Sequence, residues 1–466
     1  MNYVNLFAQA GQTKIRTGLI GTGVYGISLI TQARFIPRLE IPVVCDQNPE
    51  TARQACLRAG LSEENITLCN NINKIQRVIE KGQCAIAEHY ELLMDLPLDV
   101  VVECTGNPEA GARHAESAIE HGKHVAMVNK EADAVVGPML SRLAHKAGVI
   151  YTPVDGDQHG LLIGLVSWAA SLGLEVVCGG KARPYDFVYD ENTGRITNGI
   201  DTVVLSREER KVLLKIQPGE CRRVIEKRRK FLLELDQIAE ADLCESVIAA
   251  NATGLLPDVS SMHAPIVRIT EIAEVLSRKD DGGILQNRGV IDLVTCLRRE
   301  DEAGLGGGVF LVFNCKNDDA WKFVKDKGLL TNHRRTCGVV YRPYHLLGVE
   351  TPISILCAGL LNLSSGSLSY QPRADLVGKA KKDLKAGSSL QIDHGESGDF
   401  FEYLIVSSTP GHKDGPIPFY MAAGNQLKAD VPAGSMLTWE VIKEPEDSRL
   451  WGLRRQQDRV FYNGLN

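Results

Sequence analysis

The sequence predicts a mixed α/β fold with an N-terminal parallel sheet, an α+β middle domain and a small β-rich C-terminal domain. From residue 15 to about residue 154, short apolar runs such as IPVVCD and DVVVECTG alternate with helix-like stretches. This alternation is typical of parallel strands that helices bury on both faces. It then ends, and a short repeat occurs near the C terminus. We place the three domains at residues 1–154, 155–366 and 367–466.

The composition is that of an ordinary globular protein. Of the 466 residues, 44% are hydrophobic and 24% are charged, and the formal net charge is −6. This balance does not favour a nucleic-acid or membrane-surface partner. No apolar run reaches the roughly 18 residues of a membrane-spanning helix, and the first residues lack a signal-peptide pattern. The cysteines form no C-x-x-C pair. We therefore expect a cytoplasmic protein with reduced thiols.

A glycine-rich motif follows the first predicted strand. It reads Gly21-Thr22-Gly23-Val24-Tyr25-Gly26. In such a G-x-G-x-x-G turn the first glycine permits a tight turn and the second lets the backbone approach a pyrophosphate. The third lets the next helix pack on the strand, and the N–H groups of that helix face the anion. The motif predicts a Rossmann-type domain that binds a dinucleotide through these six residues.

Asp46 ends the second predicted strand, 20 residues after Gly26. A carboxylate at this position accepts hydrogen bonds from the adenosine ribose, which favours NAD. Gln47, Asn48 and Arg53 follow closely, and their side chains could accommodate the 2′-phosphate of NADP. The residues therefore leave both cofactors open.

Thr105, Gly106 and Asn107 follow a later predicted strand. Because the carboxyl ends of parallel strands line the ligand crevice, we expect this turn to lie against the nicotinamide. The alternative is a turn without a functional role.

Charged residues follow the next two predicted strands. Lys130 comes shortly after HVAMV, and Asp155 and Asp157 come directly after VIYTPV. Two carboxylates separated by one residue can bind a hard cation such as Mg²⁺ or Mn²⁺. A lysine can bind an oxyanion or transfer a proton. The alternative for the acidic pair is a turn that caps a helix.

Other features have weaker signals. His345 precedes the apolar segment ISILCAGLL, which we expect to return to the first domain. The histidine then lies near the nicotinamide or caps that helix. The basic run at 207–230 binds an anionic substrate or forms a solvated helix face, and His263 lies in a loop. We expect residues 63–95 to add a helix pair and the charged tail from about residue 445 to be peripheral.

The segment AIEHGKHVAMVNKEADAVVG, followed by YTPVDGDQHGLL, resembles 1-deoxy-D-xylulose 5-phosphate reductoisomerase. That family carries A-N-K-E and P-V-D-S-E-H in the same order. The resemblance implies that Asp155, Asp157 and Glu245 bind Mn²⁺ or Mg²⁺. It also implies that Lys130 contacts substrate or cofactor, and it shifts the cofactor preference slightly towards NADPH. Lys181 follows the segment that corresponds to the family's phosphate turn and is a candidate to supply a charge there.

The match to that family is incomplete at two motifs. Its S-G-G phosphate turn corresponds here to Cys178-Gly179-Gly180, which lacks the serine hydroxyl. Its N-K-x-x-E motif corresponds to residues 241–245, which keep the glutamate and lack the Asn-Lys pair. The exact substrate is therefore open.

The layout of the whole chain resembles homoserine dehydrogenase-like oxidoreductases with a C-terminal SAF domain. The shared motifs are T-G-N-P-x-A-G at 105–111, V-N-x-E-A-D at 128–133, G-D-Q at 156–158, A-N-A-T-G at 250–254, Y-x-P-Y-H-L at 341–346 and K-x-D-L-x-A-G at 381–387, besides the glycine motif. The repeat at 380–390 and 427–442 resembles the SAF domain. The group includes a reductoisomerase-like branch, and the resemblance implies a homodimer.

These observations together predict an NAD(P)-dependent oxidoreductase. The favoured hypothesis is a reductoisomerase-like enzyme that uses a divalent metal on a small, phosphorylated polyhydroxy carbonyl compound. In it, Lys130, Lys181 and His345 are the candidate catalytic residues. One alternative is a simple dehydrogenase of the homoserine dehydrogenase type. Another is a non-catalytic dinucleotide sensor that engages a partner through the SAF domain.

Overall fold

The computed structural model describes residues 2–237, 243–366, 369–390 and 400–462. Residues 367 and 368, at the expected second domain boundary, lie outside the described residues, as do residues 463–466 of the predicted tail. The described part contains one parallel sheet, one mixed sheet and a small antiparallel C-terminal pair. The fold class is therefore as predicted.

The N-terminal sheet has seven strands, all paired in parallel. They are β1 Ile15–Ile20, β2 Leu39–Cys45, β3 Ile66–Cys69, β4 Cys84–Ala87, β5 Val100–Glu103, β6 His124–Met127 and β7 Tyr151–Pro153. The helices of this region are α1 Tyr3–Ala8, α2 Val24–Ala33, α3 Pro49–Arg58, α4 Ile72–Glu80, α5 Glu91–Met94, α6 Pro108–Glu120 and α7 Lys130–Ala147.

The strand order in this sheet is β3-β4-β2-β1-β5-β6-β7. The order reverses between β1 and β5, and the crevice outside the carboxyl ends of those strands is where such sheets bind ligands. The Rossmann-type prediction is confirmed. Residues 63–95 contain two helices, α4 and α5, but they do not form the expected pair, because β4 lies between them and β3 precedes α4, and both strands widen the sheet. Strands β3 and β4 have only four residues each, which is too short for a periodic pattern to reveal them.

The middle sheet is mixed, with the path β11-β10-β9-β14-β8-β15-β17-β16 and with β12 and β13 also paired to β14. Its strands are β8 Glu175–Ala182, β9 Phe187–Tyr189, β10 Arg195–Thr197, β11 Thr202–Val204, β12 Leu256–Pro257, β13 Ile266–Val267, β14 Val290–Arg299, β15 Val309–Asn314, β16 Leu330–Thr331 and β17 Gly338–Arg342. The accompanying helices are α8 Gln158–Ser171, α9 Cys221–Phe231, α10 Leu243–Thr253, α11 Ile272–Val275, α12 Asp318–Lys325 and α13 Pro352–Leu361.

Two of these helices connect the sheets. Helix α10 packs against α8 on the middle sheet and against α7 of the N-terminal sheet. Helix α13 returns to the N-terminal sheet, as expected from its apolar sequence, and buries Ile355 and Leu356 in the same core as Ile15 and Leu19. The carboxyl edge of the parallel sheet therefore faces elements of the middle region.

The C-terminal part contains β18 Ala374–Ala380, β19 Phe401–Ser407, α14 Phe419–Ala422 and α15 Arg449–Tyr462. The predicted repeat is visible as reciprocal contacts. Asp383 accepts a hydrogen bond from the backbone N–H of Ala433, and Asp430 accepts one from Ala386, both at 2.8 Å. The bridge between Leu384 and Val431 lies between them. Each half of the repeat therefore closes the turn of the other half, while the SAF assignment stays a prediction.

The expectation of a peripheral tail is wrong. Helix α15 packs on α6 and α7, and Leu450, Trp451 and Leu453 are buried. The Arg454 guanidinium is also buried, and its Nη1 donates to Asp375 at 2.6 Å. Arg454 is thus paired inside the molecule, which composition alone does not reveal. In the part of the chain that the structure describes, no helix combines the length and apolarity needed to cross a membrane.

Asp133 on α7 joins the N-terminal sheet to the segment that enters the C-terminal part. Its Oδ1 accepts hydrogen bonds from the hydroxyls of Tyr151 and Tyr370, each at 2.8 Å. Its side chain is fully buried, and Oδ2 has no hydrogen-bond partner among the described residues. Burial raises the pKa of Asp133 to about 7, because a charged carboxylate is poorly solvated there.

This pKa predicts a pH-dependent stability. The native state holds the proton more tightly than the unfolded chain, so the stabilisation is present at low pH and is lost as pH rises through about 7. In Asp133→Asn we expect the fall in unfolding free energy between pH 5 and pH 8 to be smaller than in the wild type by roughly 2–3 kcal/mol. Urea unfolding at both pH values measures it. The exposed Asp319→Asn is the control, and an unchanged fall in Asp133→Asn would contradict the assignment.

Candidate functional site

The glycine motif has the geometry that its sequence predicts. Gly21 adopts φ +95°, and a Cβ there would lie 2.7 Å from the carbonyl oxygen of Cys104. A Cβ at Gly26 would lie 2.5 Å from the Gly21 carbonyl oxygen, so α2 packs directly on the turn. A Cβ at Gly23 would meet no atom within 4 Å. The open space above Gly23, at the N terminus of α2, fits the pyrophosphate of a dinucleotide.

The other residues of the motif have separate environments. Thr22 is buried, whereas the Val24 side chain is 76% exposed, so Val24 offers the cofactor mainly its backbone N–H. The Tyr25 hydroxyl lies 2.5 Å from Oγ1 of Thr351 and donates to the Asp155 carbonyl oxygen at 3.4 Å. Tyr25 therefore connects the cofactor loop to the segment that precedes α13.

Asp46 lies beside the glycine motif at the end of β2. Its Oδ2 accepts hydrogen bonds from the backbone N–H and the hydroxyl of Thr22, at 2.9 and 2.6 Å. Arg53, a candidate for the 2′-phosphate, is paired with Glu50 and Glu63. The Asn48 side chain accepts a hydrogen bond from Glu50 N–H and caps α3. A negative charge thus lies where the ribose is expected, and Arg53 and Asn48 already have partners.

The turn at Thr105, Gly106 and Asn107 is exposed at the carboxyl edge of the sheet, next to the crevice. The buried Asn129, which sequence reasoning did not single out, holds it in place. Nδ2 of Asn129 donates to the Asn107 carbonyl oxygen at 2.8 Å and to Oγ1 of Thr105 at 3.2 Å. Its Oδ1 caps α7 by accepting from Ala132 N–H at 3.0 Å. The start of α7 and the predicted nicotinamide turn are therefore one rigid unit.

Three charged side chains from three elements meet next to this unit. Lys130 on the first turn of α7 donates to Oε1 of Glu245 at 2.6 Å, and Lys181 on β8 donates to Oε2 of the same carboxylate. The side chains of Glu245 and Lys181 are each 4% exposed, and that of Lys130 is 21% exposed. Lys130 is therefore the member of this lysine–glutamate–lysine triad that is most accessible to a substrate.

His159 lies close to the triad and is a residue that sequence reasoning missed. It is 1% exposed, and neither ring nitrogen has a hydrogen-bond partner among the described residues. Burial lowers its pKa, against the raising effect of Asp157 and Glu245. Buried polar groups normally find partners, so both ring nitrogens of this neutral imidazole keep unused hydrogen-bonding capacity. The signal was present in D-G-D-Q-H at residues 155–159, where the histidine lies two residues after Asp157.

The predicted metal ligands are engaged with different partners. Oδ1 of Asp157 accepts from Gln158 N–H at 2.7 Å and caps α8. Asp155 accepts from the Ser354 hydroxyl at 3.3 Å, while Glu245 is bound by two lysines. Within the described residues, no three His, Cys, Asp or Glu side chains are grouped so that they could hold a metal ion. The positions and partners of Asp155, Asp157 and Glu245 do not fit a shared metal centre. Metal binding by these residues is still untested.

His345 lies at the entrance of the segment that precedes α13. Its Nδ1 lies 2.6 Å from the carbonyl oxygen of Gly307, and because a carbonyl can only accept, Nδ1 carries the proton. In the neutral ring, Nε2 is then an acceptor. The catalytic role of His345 stays a prediction.

Several weaker candidates have structural roles. Cys178, Gly179 and Gly180 lie inside β8, paired with β14 and β15, so they form no open phosphate turn. Within the basic run, Arg228 is fully buried and paired with Glu271. Nε2 of His263 lies 3.0 Å from Asp258 Oδ2. Asp242, in the segment matched to N-K-x-x-E, lies outside the described residues.

Two family models match this chain. Residues 17–153 match the model described as homoserine dehydrogenase, NAD binding domain, and residues 239–351 match that described as oxidoreductase DRL, catalytic domain. The matched regions contain the glycine motif and the triad member Glu245, respectively. Both models describe oxidoreductases, and the first describes an NAD-binding domain.

The chain is also similar to individual proteins over part of its length. A 1-deoxy-D-xylulose 5-phosphate reductoisomerase from Oleidesulfovibrio alaskensis is 29% identical over 98 residues, which are 21% of this chain and 24% of that protein. A solved DOX-P reductoisomerase in complex with magnesium is 17% identical with a TM-score of 0.26, covering 37% of this chain and 46% of its own. The WlbA dehydrogenase from Bordetella pertussis, solved with NADH and UDP-GlcNAcA, is 18% identical with a TM-score of 0.26, covering 38% and 48%.

The glycine motif supports a prediction that separates binding from folding. In Gly23→Ala we expect near wild-type thermal stability, because the new Cβ meets no protein atom, and dinucleotide affinity reduced roughly tenfold or more, because the Cβ occupies the approach of the pyrophosphate. In Gly21→Ala we expect a clear loss of stability, because the residue needs φ +95° and the Cβ meets the Cys104 carbonyl. Thermal melts and NADH or NADPH fluorescence titration measure the two effects. Equal affinity in Gly23→Ala and wild type would contradict the site.

Proposed function

We propose that this oxidoreductase transfers hydride between a nicotinamide cofactor and the carbonyl carbon of a small polyhydroxylated compound. The observation that supports the proposal is the position of Lys130. Its partly exposed ammonium group lies one residue after Asn129, which holds the turn at Thr105 and Asn107 beside the dinucleotide crevice. A proton donor and the expected nicotinamide end of the crevice are thus adjacent.

The chain's own groups would divide the work as follows. The dinucleotide, when bound, supplies the hydride. Lys130 hydrogen-bonds the carbonyl oxygen of the substrate and donates a proton to it as negative charge develops. Glu245 holds that ammonium group in position. The neutral His159 donates a hydrogen bond to a substrate hydroxyl or accepts one from it.

The substrate class follows from the chemistry of the site and from the similar proteins. Polar side chains with unfilled hydrogen-bonding capacity favour a hydroxylated substrate over an apolar one. The reductoisomerase similarity makes 1-deoxy-D-xylulose 5-phosphate the first compound to try. More specifically, we propose that the substrate undergoes a skeletal rearrangement before its carbonyl group is reduced.

A simple dehydrogenase of the homoserine dehydrogenase type is the second candidate. It is favoured by the match of residues 17–153 to the NAD-binding domain of that enzyme. The occupation of Glu245 by two lysines also favours it, because hydride transfer without rearrangement does not require a chelating cation. The structure of the product separates the two candidates, since this dehydrogenase keeps the carbon skeleton.

We propose NAD rather than NADP as the preferred cofactor, which differs from the preference that the sequence resemblance implied. Asp46 places a carboxylate where the 2′-phosphate of NADP would lie, and Arg53 is paired with Glu50 and Glu63. Like charges at that position disfavour NADP.

A substrate panel tests the proposed function. NADH and NADPH oxidation is followed with sugar phosphates, including 1-deoxy-D-xylulose 5-phosphate, and with aldehyde acids, and the reverse reaction with hydroxy acids. We expect turnover with a hydroxylated carbonyl compound. For Lys130→Met we expect kcat lower by roughly 10²- to 10⁴-fold with unchanged dinucleotide affinity. Lys146→Met, an exposed residue on the same helix, is the control. Full activity of Lys130→Met, or tight dinucleotide binding without turnover on any compound, would contradict the proposal.

The cofactor preference gives a separate prediction. In Asp46→Ser we expect the ratio of kcat/KM for NADPH over that for NADH to rise roughly tenfold or more, because the charge that opposes the 2′-phosphate is removed. The ratio is informative even if loss of the Thr22 contacts weakens both cofactors. A ratio that stays constant or falls would contradict the assignment of Asp46.

A further inference from the structure

We propose that the lysine–glutamate–lysine triad of Lys130, Glu245 and Lys181 takes the place of a divalent cation in this enzyme. The inference rests on the proposed function, since the triad would stabilise charge on the carbonyl oxygen of the substrate. It departs from the metal centre that the sequence resemblance implies at Asp155, Asp157 and Glu245.

The first observation is the state of Glu245. Its two carboxylate oxygens each bind a different ammonium group, Oε1 that of Lys130 and Oε2 that of Lys181. Glu245 and Lys181 are almost completely buried. A cation that used this carboxylate would have to displace an ammonium group and approach a second one, and the like charges repel each other strongly in a buried site.

The second observation concerns the two aspartates. Asp157 directs Oδ1 to the backbone N–H of Gln158. Asp155 accepts from the Ser354 hydroxyl, and its own N–H donates back to the Ser354 oxygen at 2.8 Å. Ser354 lies on α13, which packs on the parallel sheet, so Asp155 is held towards α13, whereas Glu245 is held by lysines of α7 and β8. These different partners do not favour joint coordination of one ion.

The chemistry then proceeds with groups of the chain. A bound dihydronicotinamide would supply the hydride and be oxidised to the nicotinamide. The carbonyl carbon of the substrate would accept the hydride, the electron pair of the C=O π bond would move to oxygen, and the oxygen would take a proton from Nζ of Lys130. Glu245 keeps the resulting neutral amine in place, and Lys130 regains a proton from solvent through its partly exposed side. Lys181 balances the charge of Glu245, so the triad stays net positive until the proton is transferred.

Metal binding and activity test the inference separately. The full-length protein is dialysed against EDTA, and Mn²⁺ binding is measured by electron paramagnetic resonance with NADH present. We expect sub-stoichiometric Mn²⁺ in the wild type. We also expect that EDTA does not affect activity on a compound that the substrate panel finds to be turned over. Stoichiometric Mn²⁺ that is lost in Glu245→Gln, or activity that requires added Mn²⁺, would overturn the inference.

Variants provide a readout that does not depend on turnover. In Lys130→Met, whose residue is partly exposed, and in Lys181→Met we expect Mn²⁺ affinity to rise roughly tenfold or more, because Glu245 is released for coordination. Lys146→Met is the matched control and should leave Mn²⁺ affinity unchanged. Circular dichroism identifies any variant that does not fold. If the variant of the buried Lys181 does not fold, the Mn²⁺ affinity of Lys130→Met alone tests the triad. Unchanged Mn²⁺ affinity in a folded Lys130→Met would contradict the triad, whereas absent turnover with the expected Mn²⁺ behaviour would contradict only the proposed function.

Discussion

The buried carboxylate of Glu245 is the constraint on which the site depends. It lies on α10 and binds one lysine from α7, at the edge of the parallel sheet, and one from β8 in the middle sheet. Removing one partner of a buried ion pair typically costs about 3–5 kcal/mol, because the remaining charge is left without compensation. The carboxylate therefore fixes the distance between the two sheets at the point where a substrate would bind.

The cofactor side of the crevice is tied to the same region by neutral contacts. Asn129 connects the turn after β5 to the start of α7, so the position of Lys130 depends on the turn that is predicted to face the nicotinamide. Tyr25 connects the glycine motif to Thr351 and to the Asp155 carbonyl. The glycine motif, Lys130 and the middle sheet thus form one connected set, which is the preorganisation that the proposed hydride transfer requires.

The C-terminal part packs against α7 and α10, the helices that carry Lys130 and Glu245. Its first segment is held by Asn251 on α10, whose Oδ1 accepts from the N–H groups of Arg373 and Ala374 at 2.7 and 2.9 Å. Helix α15 packs on α6 and α7 and carries the buried Arg454. The helix that carries Glu245 and the helix that begins with Lys130 therefore both pack against the C-terminal part. The two halves of the repeat stabilise that part through their reciprocal hydrogen bonds.

The sequence by itself determined the dinucleotide-binding domain, because the glycine spacing, the strand that precedes it and Asp46 are all local features along the chain. It also gave Lys130, Lys181 and Glu245 as candidate site residues. Only the tertiary structure decided that these three bind one another, since they lie in separate elements and no local pattern records an ion pair across them. The same reason explains why sequence reasoning did not find the roles of His159, Asn129 and the buried tail. These roles depend on contacts, or on a lack of contacts, with residues that are distant along the chain.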